Sequence, residues 1–344
     1  MRGRRPPAGA TVLLLLLAAC SGGESSGPSP QAAAPERAEP AEPEVCPLTG
    51  EEPPRGVDLD RGAVAVKIEN SREARPQSGL ENADLVYEEI VEGGITRFMA
   101  FYHCGDSDRA GPVRSARFDD PKIAHPITRV LGFSGANAIV ERELHRKKMV
   151  ALNELNTSNH AFFRVPPGNL DIHSLFVDVS KLRAAAPDAK LDPPRDPFRF
   201  GDLPRAAKRA RSAVVHFNAS NEISYRYKGG VWRRWEDGER FMTKRGRQIA
   251  VPNVLIQQVE VNNSKSIVDP AGNPSPDIAL RGSGKAWLLR DGRVLKGRWK
   301  IAREGAAATF TTAGGEPFRF AVGPIWVELV PSPKGDVKGS VAIK

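Results

Sequence analysis

The sequence predicts an α+β protein in which a mixed α/β domain, residues 45–203, precedes a smaller antiparallel all-β domain, residues 204–344. Three observations carry this. Residues 63–186 alternate β-branched apolar runs with stretches of helical spacing, the pattern of strands and helices packed on one core. A proline-rich stretch, residues 187–204, interrupts the alternation and marks a boundary. Beyond it, short apolar runs recur at regular spacing between Gly-Gly and Asp-Gly turns, the cadence of an antiparallel sheet.

The chain begins with an export signal. Arg2, Arg4 and Arg5 form a positive leader, and residues 11–17, with five consecutive leucines, form an apolar core. That core is shorter than the roughly 20 residues a spanning helix needs. Leu17-Ala18-Ala19-Cys20 follows directly. Small residues admit a peptidase to the backbone and the Cys20 thiol can be acylated, so the pattern resembles the bacterial lipobox. Residues 1–20 are thus expected to be a lipoprotein signal peptide. Lipid (palmitate) on Cys20 would hold the protein to the extracytoplasmic face of the cell membrane, each buried methylene contributing about 0.8 kcal/mol. Residues 21–44 are rich in Ser, Gly, Pro, Ala and Glu without periodicity. Such a segment buries too little apolar surface to offset its chain entropy, and reads as a disordered tether.

The first domain opens with an expected buried strand at 63–68. Ser78-Gly79-Leu80-Glu81 fits a capping box before a short helical turn. Residues 85–92 and 95–103 read as a hairpin about Gly93 and Gly94, both able to take positive φ. A strand is expected at 129–133, then helices at 137–150 and 175–186, the second stopped by Pro187. In the second domain, strands are expected at 213–217, 223–228, 231–235, 254–261, 286–290, 294–301, 308–312 and 325–330. Gly229-Gly230 and Asp291-Gly292 supply hairpin turns.

Net charge is +9, three of the positive charges lying in the leader. A basic exported protein favours anionic partners such as lipid headgroups or wall polymers, and export argues against nucleic acid. Besides Cys20, only Cys46 and Cys104 are present. In an oxidising compartment they suggest one disulfide, with two unpaired thiols as the alternative.

No GxSxG, HExxH, phosphate-binding Gly-rich loop or Cys/His metal cluster is present, and no cofactor is expected. Asp106 and Asp108 recur at the spacing of a calcium loop, but the remaining ligand positions are wrong. The densest polar cluster lies between Arg72 and Asp120, and includes Glu89 and Asp120; its candidate ligand-binding residues are Arg75, Gln77, Glu88, Glu92, Arg97, Arg114, Arg117 and Asp119. Alternation places Glu88 and Glu92 on one strand face and Glu89 on the other. Arg114 and Arg117, in a Gly-Pro loop, have the fork geometry that grips phosphate or carboxylate, with a nearby acid as base. Alternatively, they pair with the strand glutamates and hold the loop. Trp232, Trp235, Trp287, Trp299 and Trp326 are expected to serve the core of the second domain.

Several segments in one order resemble the YerB-like lipoprotein family. They are Cys46-Pro47-Leu48-Thr49-Gly50, Arg75-Pro76-Gln77-Ser78-Gly79, Ala83-Asp84-Leu85-Val86-Tyr87-Glu88 and Glu92-Gly93-Gly94-Ile95-Thr96-Arg97-Phe98. Gly111-Pro112-Val113-Arg114-Ser115-Ala116-Arg117, Val251-Pro252-Asn253-Val254-Leu255-Ile256-Gln257 and Gly297-Arg298-Trp299 continue the likeness. The resemblance implies N- and C-terminal domains of unknown function behind a lipoprotein signal, and a link to envelope biology including peptidoglycan synthesis. One segment departs: Pro167-Gly168-Asn169-Leu170-Asp171 stands where the family tends to carry a histidine and a tyrosine.

The expected function is that of a membrane-tethered accessory or regulatory factor, binding an envelope synthase, a wall polymer or an anionic envelope ligand. An enzyme, a transferase or hydrolase acting on a phosphate-bearing lipid or polymer, is the alternative. A solute-binding lipoprotein ranks third, since two similar lobes are not visible.

Overall fold

The computed structural model describes residues 44–187, 191–195 and 197–344. The predicted signal peptide, the tether up to residue 43 and the lipidation site Cys20 lie outside the described residues. None of the described helices is long and apolar enough to cross a membrane.

The chain from Glu44 onward forms one unit, mostly sheet. In its first half lie β1 (Val64–Glu69), β2 (Leu85–Ile90), β3 (Thr96–Tyr102), β4 (Val130–Gly132), β5 (Val150–Leu152), β6 (Phe162–Arg164) and β7 (Leu175–Val177). Next come β8 (Lys208–Arg209), β9 (Ser212–His216), β10 (Ile223–Lys228), β11 (Val231–Glu236), β12 (Glu239–Arg240) and β13 (Ala250–Val251). The rest are β14 (Asn253–Val268), β15 (Pro274–Ala279), β16 (Gly282–Arg290), β17 (Arg293–Ile301), β18 (Thr309–Thr312), β19 (Ile325–Pro331) and β20 (Ser340–Ile343). Among the described residues, three short α-helices, α1 (Asp120–Ala124), α2 (Ala138–Arg146) and α3 (Val179–Ala185), all fall in the first half. The helix content is thus smaller than the mixed α/β reading anticipated.

The large sheet runs β18-β17-β16-β14-β19-β2-β3-β1-β4-β5. It crosses the boundary predicted near residue 204: β19 pairs in parallel with β14 on one side and with β2 on the other. A strand flanked in parallel and covered on both faces reads as a continuous apolar run. Accordingly, every residue of β19 (IWVELVP) is buried. β9, β10, β11, β12, β13 and β20 form a second sheet. It packs on the face of the large sheet that carries Glu88, Phe98, Trp326 and Glu328, as the contacts of Arg234 show.

Local chemistry sets the ends of the elements. Gly93 and Gly94 take φ of 71° and 77° in the β2–β3 turn, and the Gly229-Gly230 and Asp291-Gly292 turns also have positive φ throughout. The three predicted hairpins therefore form. Asn137 caps α2, its side chain accepting from the Ile139 and Val140 N–H groups. This helix ends at Arg146, short of the predicted 150, because residues 150–152 pair as β5 beside β4. The predicted helix at 175–186 also starts late. Leu175–Val177 pairs with β6, and Asp178 caps a helix that begins only at Val179. Ser78 caps nothing: its backbone bridges Gly111, and Gly79, at φ 87°, precedes a 3₁₀ turn. Pro274 and Pro276 masked β15, an edge strand on the outer half of β14.

Candidate functional site

Strand alternation divides the predicted polar cluster. Cross-strand partners share a face, so Glu88, Phe98 and Ile68 lie on one side, and Glu89, Arg97 and Glu69 on the other. Arg75, Gln77 and Glu88 serve the first side. Arg97, Arg114, Arg117, Glu92 and Asp119 serve the second.

On the first side the centre is Arg234 of β11, fully buried. Its guanidinium meets Glu88 at 2.8 Å, Glu236 at 2.8 Å and Glu328 at 3.0 Å, and donates to the Tyr225 hydroxyl at 2.9 Å. The rings of Phe241 (4.7 Å), Trp326 (5.1 Å) and Phe98 (5.5 Å) surround it. An arginine among aromatic faces gains from their quadrupoles as well as from the acids. Glu236 also receives Arg75, and accepts from Asn70 Nδ2 at 2.9 Å. Gln77 Nε2 donates to the Glu69 carbonyl at 2.9 Å and to Asn70 Oδ1 at 3.1 Å.

Burial pushes the Glu88 carboxyl up to about 8, Arg234 opposing the shift and Glu328 adding to it. Glu236 is raised for the same first reason. Glu88 thus stays protonated in the fold at pH values where it ionises in the unfolded chain. The native state binds the extra proton between about 4.5 and 8, so this contribution to stability falls as pH rises through that window. Glu88→Gln copies the protonated acid. We expect the stability of the variant relative to wild type to rise between pH 5 and pH 8, measured by urea unfolding. A pH-independent difference would sink this account.

On the second side, buried Lys67 of β1 pairs with Glu89 and, at 2.6 Å, with Asp120. Glu69 pairs with Arg114 and lies 3.9 Å from Arg97, which donates to the Ser115 carbonyl at 2.9 Å. Arg117 pairs with Glu92, and Ser275 of β15 donates to that carboxylate at 2.6 Å. Asp119 accepts from the Ile278 N–H at 2.6 Å and pairs with Lys122 at 2.6 Å. Burial raises Asp119 to about 6 against the pull of Lys122, and lowers Arg97 to about 10, with Arg117 adding to that fall. Arg114 and Arg117 keep about a fifth of their side chains exposed, at 21% and 18%.

Two expectations need correction here. Glu92 does not share a face with Glu88, because β2 ends at Ile90 and the 3₁₀ turn Glu92–Gly94 breaks the alternation. Arg234, Glu328, Glu236, Tyr225 and Lys67 lie outside the predicted cluster, although the structure puts them at its centre. Their signal was a charge or hydroxyl inside an otherwise buried strand.

Cys46 and Cys104 form a disulfide. Asp106 pairs with Arg183 at 3.2 Å, and Asp108 lies 3.5 Å from Arg245. Among the described residues, no group of three or more His, Cys, Asp or Glu side chains could hold a metal. Trp232, Trp299 and Trp326 are buried, while Trp287 is half-buried against the core and Trp235 half-buried. The departing segment at 167–171 forms the loop between β6 and β7, with Leu170 exposed at its tip.

Fold and site together define a β-rich protein whose two halves interlock in one sheet around buried ionic cores. The chain belongs to the DUF3048 family. Residues 48–192 match "Protein of unknown function (DUF3048) N-terminal domain" and residues 213–327 match its C-terminal domain. It is 29% identical over 300 residues to "Putative lipoprotein YerB" of Bacillus subtilis (strain 168), across 83% of this chain and 86% of that one. The crystal structure of the Bacillus subtilis YerB protein is also similar, with a TM-score of 0.71 and 26% identity. That match covers 87% of this chain and 99% of the other. The resemblance read from the sequence is therefore correct.

Proposed function

We propose that the chain is a membrane-tethered extracytoplasmic lipoprotein that acts in the cell envelope as an accessory or regulatory factor, by binding rather than by turnover. One observation carries this reading. Each arginine of the candidate ligand-binding cluster, including Arg114 and Arg117 with their gripping forks, is matched within the fold: Arg75 by Glu236, Arg97 and Arg114 by Glu69, Arg117 by Glu92. Catalysis of phosphoryl or acyl transfer needs cations aimed at charge that develops on a substrate. Here the cations are aimed at the protein's own acids and brace its loops. The lipobox at Cys20 and the lipoprotein name of the Bacillus relative support the tether. The partner is an envelope synthase or a wall polymer. The test is photo-crosslinking in cells from the full chain, with the probe replacing exposed Leu170. Recovery of one synthase or wall polymer is expected. A random sample of neighbouring surface lipoproteins would count against the reading.

A further inference from the structure

Cations that the fold does not neutralise gather elsewhere. Beyond Gln257, β14 leaves β16 and turns to pair with β15. The gap is a groove of about 460 Å³ lined by Arg281, Lys285, Arg298 and Lys334, with Glu260 as the one acid. A second groove, of about 490 Å³, shares Arg281, Ser283 and Arg298 with the first and adds Lys300. The register pairs Lys285 with Arg298 and Ser283 with Lys300, so these side chains share one face of the hairpin.

Among the described residues, none of these five cations forms an ion pair with a carboxylate, and all five are exposed. Like charges directly opposite on a sheet are destabilising, and among the described residues no carboxylate comes within ion-pair distance of Lys285 or Arg298, Glu260 being the one acid that lines the groove. The groove is nonetheless firmly built. Trp299 lines it from a buried position, its Nε1 donating to the Gln258 carbonyl at 2.8 Å. A Cβ at position 284 would collide with that indole and that carbonyl, so only glycine fits. Arg298 Nη2 donates to Ser283 Oγ at 3.0 Å, which orients its fork along the groove.

We infer that the paired grooves bind an extended anion that carries repeated phosphodiester groups. Guanidinium forks, ammonium groups and a serine hydroxyl suit phosphate oxygens, and two grooves with a shared ridge suit a repeating ligand better than a single ion. The inference rests on the accessory role proposed above and names its ligand chemistry.

The test uses the full chain in phosphatidylcholine vesicles with a fluorescent, soluble glycerol-phosphate oligomer as probe. Wild type should bind it, more weakly as salt rises. Lys285→Gln/Arg298→Gln should weaken binding by about tenfold or more with a melting temperature that is unchanged or slightly raised, since the like-charge pair is relieved. Competition by added phosphatidylglycerol vesicles would overturn the repeating polymer in favour of a single-phosphodiester lipid headgroup; lack of competition would support the polymer. Equal binding by the variant, or no binding of the oligomer by wild type, overturns the inference. Should the variant still give the wild-type crosslinked partner in cells, the groove alone has failed and the accessory role stands.

Discussion

Replacing Arg234 with methionine is expected to lower the free energy of unfolding by about 3–5 kcal/mol, the usual cost of stripping one partner from a buried ion pair. That is a large share of the roughly 5–15 kcal/mol available to a native domain. The cause is not loss of attraction alone. Glu88, Glu236 and Glu328 would remain buried and facing one another, with only Arg75 left to meet Glu236. Three carboxyls in a shared apolar pocket cannot all ionise cheaply. Methionine restores much of the volume, so the loss isolates the charge. Adding Glu88→Gln and Glu328→Gln to Arg234→Met should recover part of the loss, since the uncompensated acids are then gone. Urea unfolding at pH 7 measures both. A loss below about 1 kcal/mol for the single variant, the range of an exposed pair, would show that the arginine is not the structural centre.

Opening the disulfide is expected to have an effect of similar size. Cys46 and Cys104 are 58 residues apart, and closing a loop of that length restricts the unfolded chain by about 4 kcal/mol in the chain-entropy model. The segment around Cys46 forms no strand. It is held by buried Leu48, by packing of Gly50 against Phe200, and by the Gly323 N–H donating to the Thr49 carbonyl. Residues 59–62 are held separately, by Arg61 donating to the His103 carbonyl and by Arg183 donating to the Gly62 carbonyl, so the covalent link to the end of β3 matters most for residues 44–58. Cys46→Ser/Cys104→Ser should lower the denaturation midpoint and make residues 44–58 exchange amide hydrogens faster than they do in the wild type. An unaltered midpoint, with the thiols shown absent by mass spectrometry, would refute this.

The contrast between what sequence showed and what it concealed is physical. Hairpins were legible because their turns are local: Gly93-Gly94, Gly229-Gly230 and Asp291-Gly292 each fix two positive-φ residues between apolar runs. Of the five tryptophans expected in the core, Trp232, Trp287, Trp299 and Trp326 pack there, whereas Trp235 is half-buried beneath Arg226 outside it. β7 and β15 were not, since Leu175–Val177 continues into a genuine helix and β15 contains prolines. The polar residues of the predicted cluster fall in buried ionic networks, and pairing of the loop arginines with strand glutamates was legible, but partners from the far half of the chain were not. Glu88 meets Arg234 and Glu328, and Glu92 meets Ser275, from the far half of the protein. A sharper signal was present: Lys67 in AVAVKIE, Arg234 in VWRRWE and Glu328 in IWVELV are charges in strands otherwise fit for burial. A buried charge needs a partner, so each announced an ion pair without naming it.

The position of β19 governs the order in which the molecule can be completed. β2 can form its hairpin with β3 as soon as both are made, but its other edge pairs only with residues 325–328. A chain emerging unfolded from a membrane, amino terminus first, would present that edge until nearly all of it had crossed. An open strand edge is a template for wrong pairing, and closing it across so long a stretch is intrinsically slow. The late-arriving strand is therefore the keystone of both halves, and the interval before it seats is when the nascent protein is most exposed to aggregation.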